Sequence, residues 1–289
     1  MRTRSIVLSL AVGAVALFVA LRLPGQAPEV KTKRVPLTRS GKPNLEAPAP
    51  KAADGKTPDF SGIWNSIKVP CENSPAGITF GCSDIPFGAP VGVMDVTANG
   101  SKDGDPGTTT VLPYQPGVEA LVKQRVADNR KDDPTTRCLP TSLVRQWADF
   151  FPQKIVQTPD ALIILGEYMI QYRQIFLDGR PLPKNPFPSF KGHSVGHWQG
   201  DALVVETVGF KDGLWLDLRG DPLTDEGRTT ERIRRPNYGN LEVEITVDDP
   251  KAYTRPWKAK RYLKIALDTE LIEDVCNENE RSFTHIFGK

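Results

Sequence analysis

No charge of either sign dominates this chain: 37 Lys and Arg stand against 35 Asp and Glu, a net +2, over 289 residues. That excludes the strong basic footprint of a nucleic-acid-binding domain. No P-loop and no Gly-rich dinucleotide fingerprint is present. Ser194 stands in a G-x-S-x-G spacing, Gly192-His193-Ser194-Val195-Gly196, but inside an expected strand and not at a strand-to-helix elbow, which disfavours a serine hydrolase. The four cysteines include no C-x-x-C and have no neighbouring pair of histidines, which disfavours zinc at these positions. Only three histidines occur. What is plentiful is proline (26) and glycine (24), a composition of turns and short strands rather than long helices. At 39% hydrophobic and 25% charged residues, the chain is neither disordered throughout, nor collagenous, nor a multi-span membrane protein.

The N-terminus carries an address. Arg2 and Arg4 precede the apolar stretch Ile6 to Leu21. Residues 1–22 therefore read as a signal peptide or a single membrane anchor, with the charged end on the cytoplasmic side. A periplasmic or secreted protein is expected, anchored to the inner membrane by residues 6–21 if the segment is retained. Residues 23–58 are rich in Pro, Ala and Lys without apolar periodicity, and are expected to be a disordered linker. One β-rich domain is expected over 59–289, irregular and helical over 59–150 and stranded over 151–289. Outside the cytoplasm the cysteines can pair, with three connectivities open. A local clip Cys71–Cys82 would leave Cys138 and Cys276 to close a loop of more than a hundred residues. Such a loop is worth on the order of 4–5 kcal/mol in the chain-entropy model.

Val118, Leu121, Val122 and Val126 recur at helical spacing and predict a helix over 117–129, with a second short one between Ser142 and Phe150. After Pro152 the pattern becomes one of short strands separated by turn residues, and nine or ten are expected. The fold class is thus mainly β, an antiparallel calycin-like barrel or sandwich with one or two short helices. In the strand from Met169 to Leu177, Ile170, Tyr172, Gln174 and Phe176 face one way, and Gln171, Arg173 and Ile175 the other. Further strands are expected at 193–198, 202–208, 229–234, 241–247, 260–266, 270–275 and 282–287.

Candidate chemistry gathers on the hairpin turning at Gly200-Asp201. The turn pairs Gln199 with Ala202, Trp198 with Leu203, His197 with Val204 and Val195 with Glu206. Trp198, Leu203 and Val205 then share a core face, while His193, His197 and Glu206 share the opposite one. On a strand His193 and His197 lie about 13 Å apart, too far for one metal ion, so no metal is expected. A histidine beside a carboxylate is suited to proton transfer. His193, Glu206 and the more distant His285 are therefore the catalytic candidates. Arg173 can bind a ligand carboxylate or hydroxyl from inside a barrel, with Tyr172, Trp198 and His197 as further binding candidates.

The Asp178-Gly179-Arg180 turn, the Gly192-His193-Ser194-x-Gly196-x-Trp198-x-Gly200-Asp201-x-Leu203 run, Glu231-Arg232, Asp249-Pro250 and Cys276-x-Glu278-Asn279 together resemble a large family of exported bacterial proteins. The opening Phe60-Ser61-Gly62-Ile63-Trp64 resembles a lipocalin or calycin entry motif. The first resemblance implies a shared role for His193, a departure at His197, and a Cys138–Cys276 pairing. It implies no particular reaction.

The first expectation for function is a cofactor-free acid/base enzyme (lyase, isomerase, hydratase or hydrolase) acting on a small, largely apolar molecule. A periplasmic small-molecule carrier is the alternative, and an envelope structural or interaction protein the third. No nucleic-acid partner and no cofactor is expected, and no pattern fixes an oligomeric state.

Overall fold

Alternation of apolar and polar residues is cleanest in the segment Asn240–Asp248, where Leu241, Val243, Ile245 and Val247 are buried between Glu242, Glu244 and Thr246. That period of two gives a strand with one face turned inward, and the same pattern recurs around a closed sheet. The computed structural model describes residues 32, 35–66, 93–94, 110–149 and 151–278, all within one compact unit, Lys31–Lys289. In chain order the strands are β1 (Gly62–Ser66), β2 (Val93–Met94), β3 (Thr110–Val111), β4 (Gln153–Gln157), β5 (Ala161–Gly166), β6 (Gln171–Phe176) and β7 (His193–Gln199). They continue with β8 (Ala202–Val208), β9 (Leu214–Trp215), β10 (Pro222–Leu223), β11 (Arg228–Arg234), β12 (Asn240–Asp248) and β13 (Trp257–Ala266). Two helices, α1 (Val118–Ala127) and α2 (Leu143–Ala148), fall inside the two predicted windows.

The sheet is a closed barrel in the order β1-β13-β12-β11-β8-β7-β6-β5-β4, and β4 pairs back to β1. Closure removes the exposed edges that an open sheet would present. β2 with β3, and β9 with β10, form small separate ribbons. All barrel pairs are antiparallel except β6 and β7, which run parallel and meet only at Ile175↔Ser194 and Phe176↔Val195. Parallel neighbours need a crossover, here the proline-rich residues 177–192. The expected mainly antiparallel barrel is what forms, with this one parallel seam. No strand forms over 270–275, a correction to the expected order.

Inward positions sort by polarity along the barrel axis. Toward one end point Gln171 and Arg173 on β6, Ser194 on β7, Thr207 on β8, and Thr229 and Glu231 on β11, all buried. Further along the same strands come Ile175, Leu203 and Ile233, also buried. The apolar end is closed by the entry segment. Phe60 packs against Trp198 with ring centroids 5.3 Å apart, Trp64 Nε1 donates to the Phe60 carbonyl at 3.0 Å, and the Arg235 guanidinium lies 4.8 Å over the Trp64 ring. The polar end is capped by α2. Ser142 Oγ accepts from the Arg145 backbone N–H at its start, and every residue of the helix is buried.

The expected linker also needs correction. Within 44–58 the chain is not free: Tyr238 N–H donates to the Ala47 carbonyl at 2.7 Å and Gly239 N–H to the Leu45 carbonyl at 2.8 Å. Gly239 makes the approach feasible, because a Cβ there would stand 2.6 Å from Leu45 Cβ. Docking here uses backbone hydrogen bonds, which leave no periodic signature in sequence. Cys138 and Cys276 form a disulfide with Cα atoms 5.5 Å apart. The leader expected at 1–22, Cys71, Cys82, His285 and the strand expected at 282–287 lie outside the described residues.

Candidate functional site

The polar half of the lumen is built around an ion pair. Arg173 Nη1 donates to Glu231 Oε1 at 2.9 Å, and Nη2 reaches Glu231 Oε2. The remaining guanidinium protons go to Ser194 Oγ, at 3.2 Å from Nε and 3.0 Å from Nη2, and to Thr207 Oγ1 at 3.1 Å. Trp147 Nε1, projecting from α2, donates to Glu231 Oε1 at 2.6 Å. The side chains of Arg173 and Glu231 are 1% and 0% exposed. A charge pair this deep persists only when its donors and acceptors are satisfied, as these are.

Beside it lies Lys191, inserted from the crossover loop. Its Nζ donates to Gln171 Oε1 at 2.6 Å, Thr141 Oγ1 at 3.2 Å and the Ser142 carbonyl at 3.3 Å. Burial pushes its pKa well below the usual lysine range, and nearby Arg173 and Arg145 push the same way against Asp149. Gly192 sets the turn that aims this lysine inward: its φ is +65°, and a Cβ there would stand 2.6 Å from Thr207 Cγ2. Arg145 is engaged elsewhere, with Nη1 at 2.9 and 2.8 Å from the two Asp133 carboxylate oxygens.

Next to these saturated groups are unsaturated ones. Gln153 is 2% exposed and Gln146 3%. Both amide atoms of Gln153, Nε2 of Gln146, Oγ1 of Thr229 and Nε1 of Trp257 are buried without a hydrogen-bond partner. Gln153 pairs across the sheet with Gly166, and Gly166 with Gln171. The bare Gly166 backbone admits the amides: a Cβ there would be 3.2 Å from Gln146 Nε2. Buried polar atoms without partners are uncommon in folded proteins, and each calls for an explanation.

Over the same end sits a carboxylate cluster. Asp221 is fully buried in the turn joining β9 to β10 and accepts from Tyr114 Oη. Asp217 and Arg219 flank it, Arg219 Nη2 lying 3.5 Å from Asp221 Oδ2. Burial, then the neighbouring Asp217 charge, push the Asp221 pKa well above the ordinary carboxylate range. Tyr253 joins the cap by donating to the Pro222 carbonyl at 2.9 Å.

The expected catalytic face is elsewhere. The β7–β8 register is the one read from the sequence, with Val195 opposite Glu206 and Trp198 opposite Leu203. In a closed barrel, however, the core face and the lumen face are the same face. Ser194, Gly196, Leu203, Val205 and Thr207 are therefore the buried inward positions, and His197 and Glu206 are exposed outside. His193 is half-buried on the outer side, its Nε2 2.8 Å from the Phe187 carbonyl, where it pins the crossover loop. His197 Nε2 contacts Gln199 Nε2 at 3.1 Å. The shared hollow expected for His193 and Glu206 is corrected on this ground. Tyr172, expected to bind ligand, is also corrected: it is 64% exposed on the outer face. Trp198 is a core residue against Phe60. Arg173 points inward as expected, toward a protein carboxylate. Sequence reasoning missed Gln146, Gln153, Lys191 and Asp221. The alternation of Gln153 with buried Ile155 was the only available signal, and Lys191 in its proline-rich loop offered none.

No family model and no curated protein matches the chain. Among solved structures, it is similar to a mutant of the fluorescent protein UnaG at 20% identity, over 41% of this chain and 72% of that one, with a TM-score of 0.25. So low a score carries no argument; the barrel assignment rests on the strand order above.

Proposed function

We propose that the protein is an exported small-molecule-binding barrel whose ligand sits in the polar half of the lumen beneath α2. The observation that carries this reading is the set of buried, unpartnered polar atoms beside the Arg173–Glu231 pair, led by both amide atoms of Gln153. A site that orients a ligand holds a few polar groups inside an otherwise apolar enclosure, and Ile155, Ile164 and Trp64 supply such surroundings. The Cys138–Cys276 bridge supports an oxidising compartment, in keeping with the apolar leader read from residues 6–21. The test is solvent extraction of the full exported chain followed by mass spectrometry, alongside native mass spectrometry of the intact protein. A stoichiometric small molecule released by wild type and reduced in Gln153→Leu is expected. A bare chain in both would overturn the reading.

Catalysis is the second reading, and one observation favours it. Lys191 is a buried amine among neutral acceptors, and burial pushes its pKa well below the usual lysine range, the direction that suits a general base. On this reading Lys191 takes the role first expected of His193, and Lys191→Met would leave binding intact while abolishing turnover of the extracted molecule.

A further inference from the structure

We propose that the ligand is an uncharged molecule carrying a cis-amide, of the lactam or cyclic-imide class, held edge to edge by the side chain of Gln153. The inference rests on the small-molecule reading above and adds the chemistry of the occupant. A primary carboxamide presents an acceptor oxygen and a donor nitrogen side by side. On Gln153 both are buried and free of partners, and Gln146 Nε2 adds a second free donor. A cis-amide shows a carbonyl and an N–H on one edge, the complement of that pair. It would make two parallel hydrogen bonds with Gln153 and leave a carbonyl lone pair for Gln146.

Charge decides against the obvious competitors. Two buried cations nearby are paired with carboxylates, Arg173 with Glu231 and Arg145 with Asp133, and Lys191, whose partners Gln171, Thr141 and Ser142 are neutral, has its charge disfavoured by burial. A carboxylate ligand would find both guanidinium groups already paired, and an ammonium ligand would find Glu231 and Asp133 so, which makes burying its charge costly. A simple ether or ketone would leave the Gln153 oxygen unmatched. Gly166, opposite Gln153 in the register, leaves its side-chain space to Gln146 and Gln171, whose Nε2 and Cγ lie 3.2 and 3.0 Å from where a Cβ would stand.

The experiment uses the full chain with its disulfide intact and three probes of similar size: 2-pyrrolidinone, N-methyl-2-pyrrolidinone and butyrate. Binding is followed by calorimetry and by melting temperature. We expect 2-pyrrolidinone to bind at least about tenfold more tightly than its N-methyl analogue, since a site built around a hydrogen bond rejects a ligand lacking it. Gln153→Leu should erase that preference and Gln146→Met should weaken it, so the outcome survives the failure of either variant to fold. Equal binding of the two lactams, or preference for butyrate, overturns the lactam assignment. If no probe binds while extraction releases a molecule without a cis-amide, the ligand class falls and the binding reading stands. If no probe binds, extraction releases nothing and Gln153→Leu melts higher than wild type, both fall, and the amides are groups satisfied by water alone.

Discussion

Arg173 on β6 and Glu231 on β11 meet inside the barrel across two intervening strands, β7 and β8, with Nη1 and Oε1 2.9 Å apart. Ser194 and Thr207 on those two strands fill the gap, and their hydroxyls lie 2.9 Å apart. One guanidinium thus ties four strands together by side chains, in addition to their backbone ladders. The pair thereby joins β6 and β11, which share no backbone ladder.

Arg173→Met should destabilise the fold by about 3–5 kcal/mol, the usual loss when one partner of a buried pair is left alone. Adding Glu231→Leu should recover part of that loss, because the uncompensated carboxylate is then gone. Some deficit remains, since Trp147 Nε1 loses its acceptor at a cost of about 1–3 kcal/mol. Urea denaturation of the two variants measures both steps.

His193→Ala should lower stability by only about 1 kcal/mol, the value of a single hydrogen bond to the Phe187 carbonyl. Binding and any turnover of the extracted molecule should be unchanged. Loss of turnover with a normal melting curve would restore the acid/base role first expected for this histidine.

Reducing the Cys138–Cys276 bridge removes a cross-link spanning 138 residues. The chain-entropy model gives about 5 kcal/mol for a loop of that length. Peptide mapping without reductant should recover the two segments as one linked species, and denaturation with and without reductant should show the loss.

Two buried groups tilt the pH profile in opposite directions. Asp221 has a raised folded pKa, so its contribution is complete below the unfolded value and is lost as pH rises through the folded one. Asp221→Asn should flatten the decline in melting temperature on the alkaline side of pH 4. Lys191 has a lowered folded pKa, so the folded state binds fewer protons than the unfolded one between that pKa and the ordinary lysine value. Stability should climb with pH across that window, and the climb should vanish in Lys191→Met.

Much of the architecture was readable in the chain, and the reasons are local. Gly200-Asp201 fixed the β7–β8 register, and alternation placed Gln171, Arg173 and Ile175 on one face of β6. What period two does not supply is which face turns inward when both carry polar residues. Arg173 was expected inside the barrel, but nothing local shows that the group it meets there is Glu231, 58 positions away. For the hairpin the core face was assigned correctly, yet the hollow was expected on its reverse, a geometry that a sandwich allows and a closed barrel forbids. Gln153 and Gln146 stayed invisible because nothing in their neighbourhood reveals that α2 folds over the lumen.

The parallel meeting of β6 and β7 is the shortest joint in the wall, while β12 and β13 are laced from Asn240↔Lys264 to Val247↔Trp257. A cylinder stitched so unevenly has a zip. The seam is closed instead by side chains: Arg173 on β6 donates from Nε and Nη2 to Ser194 Oγ on β7.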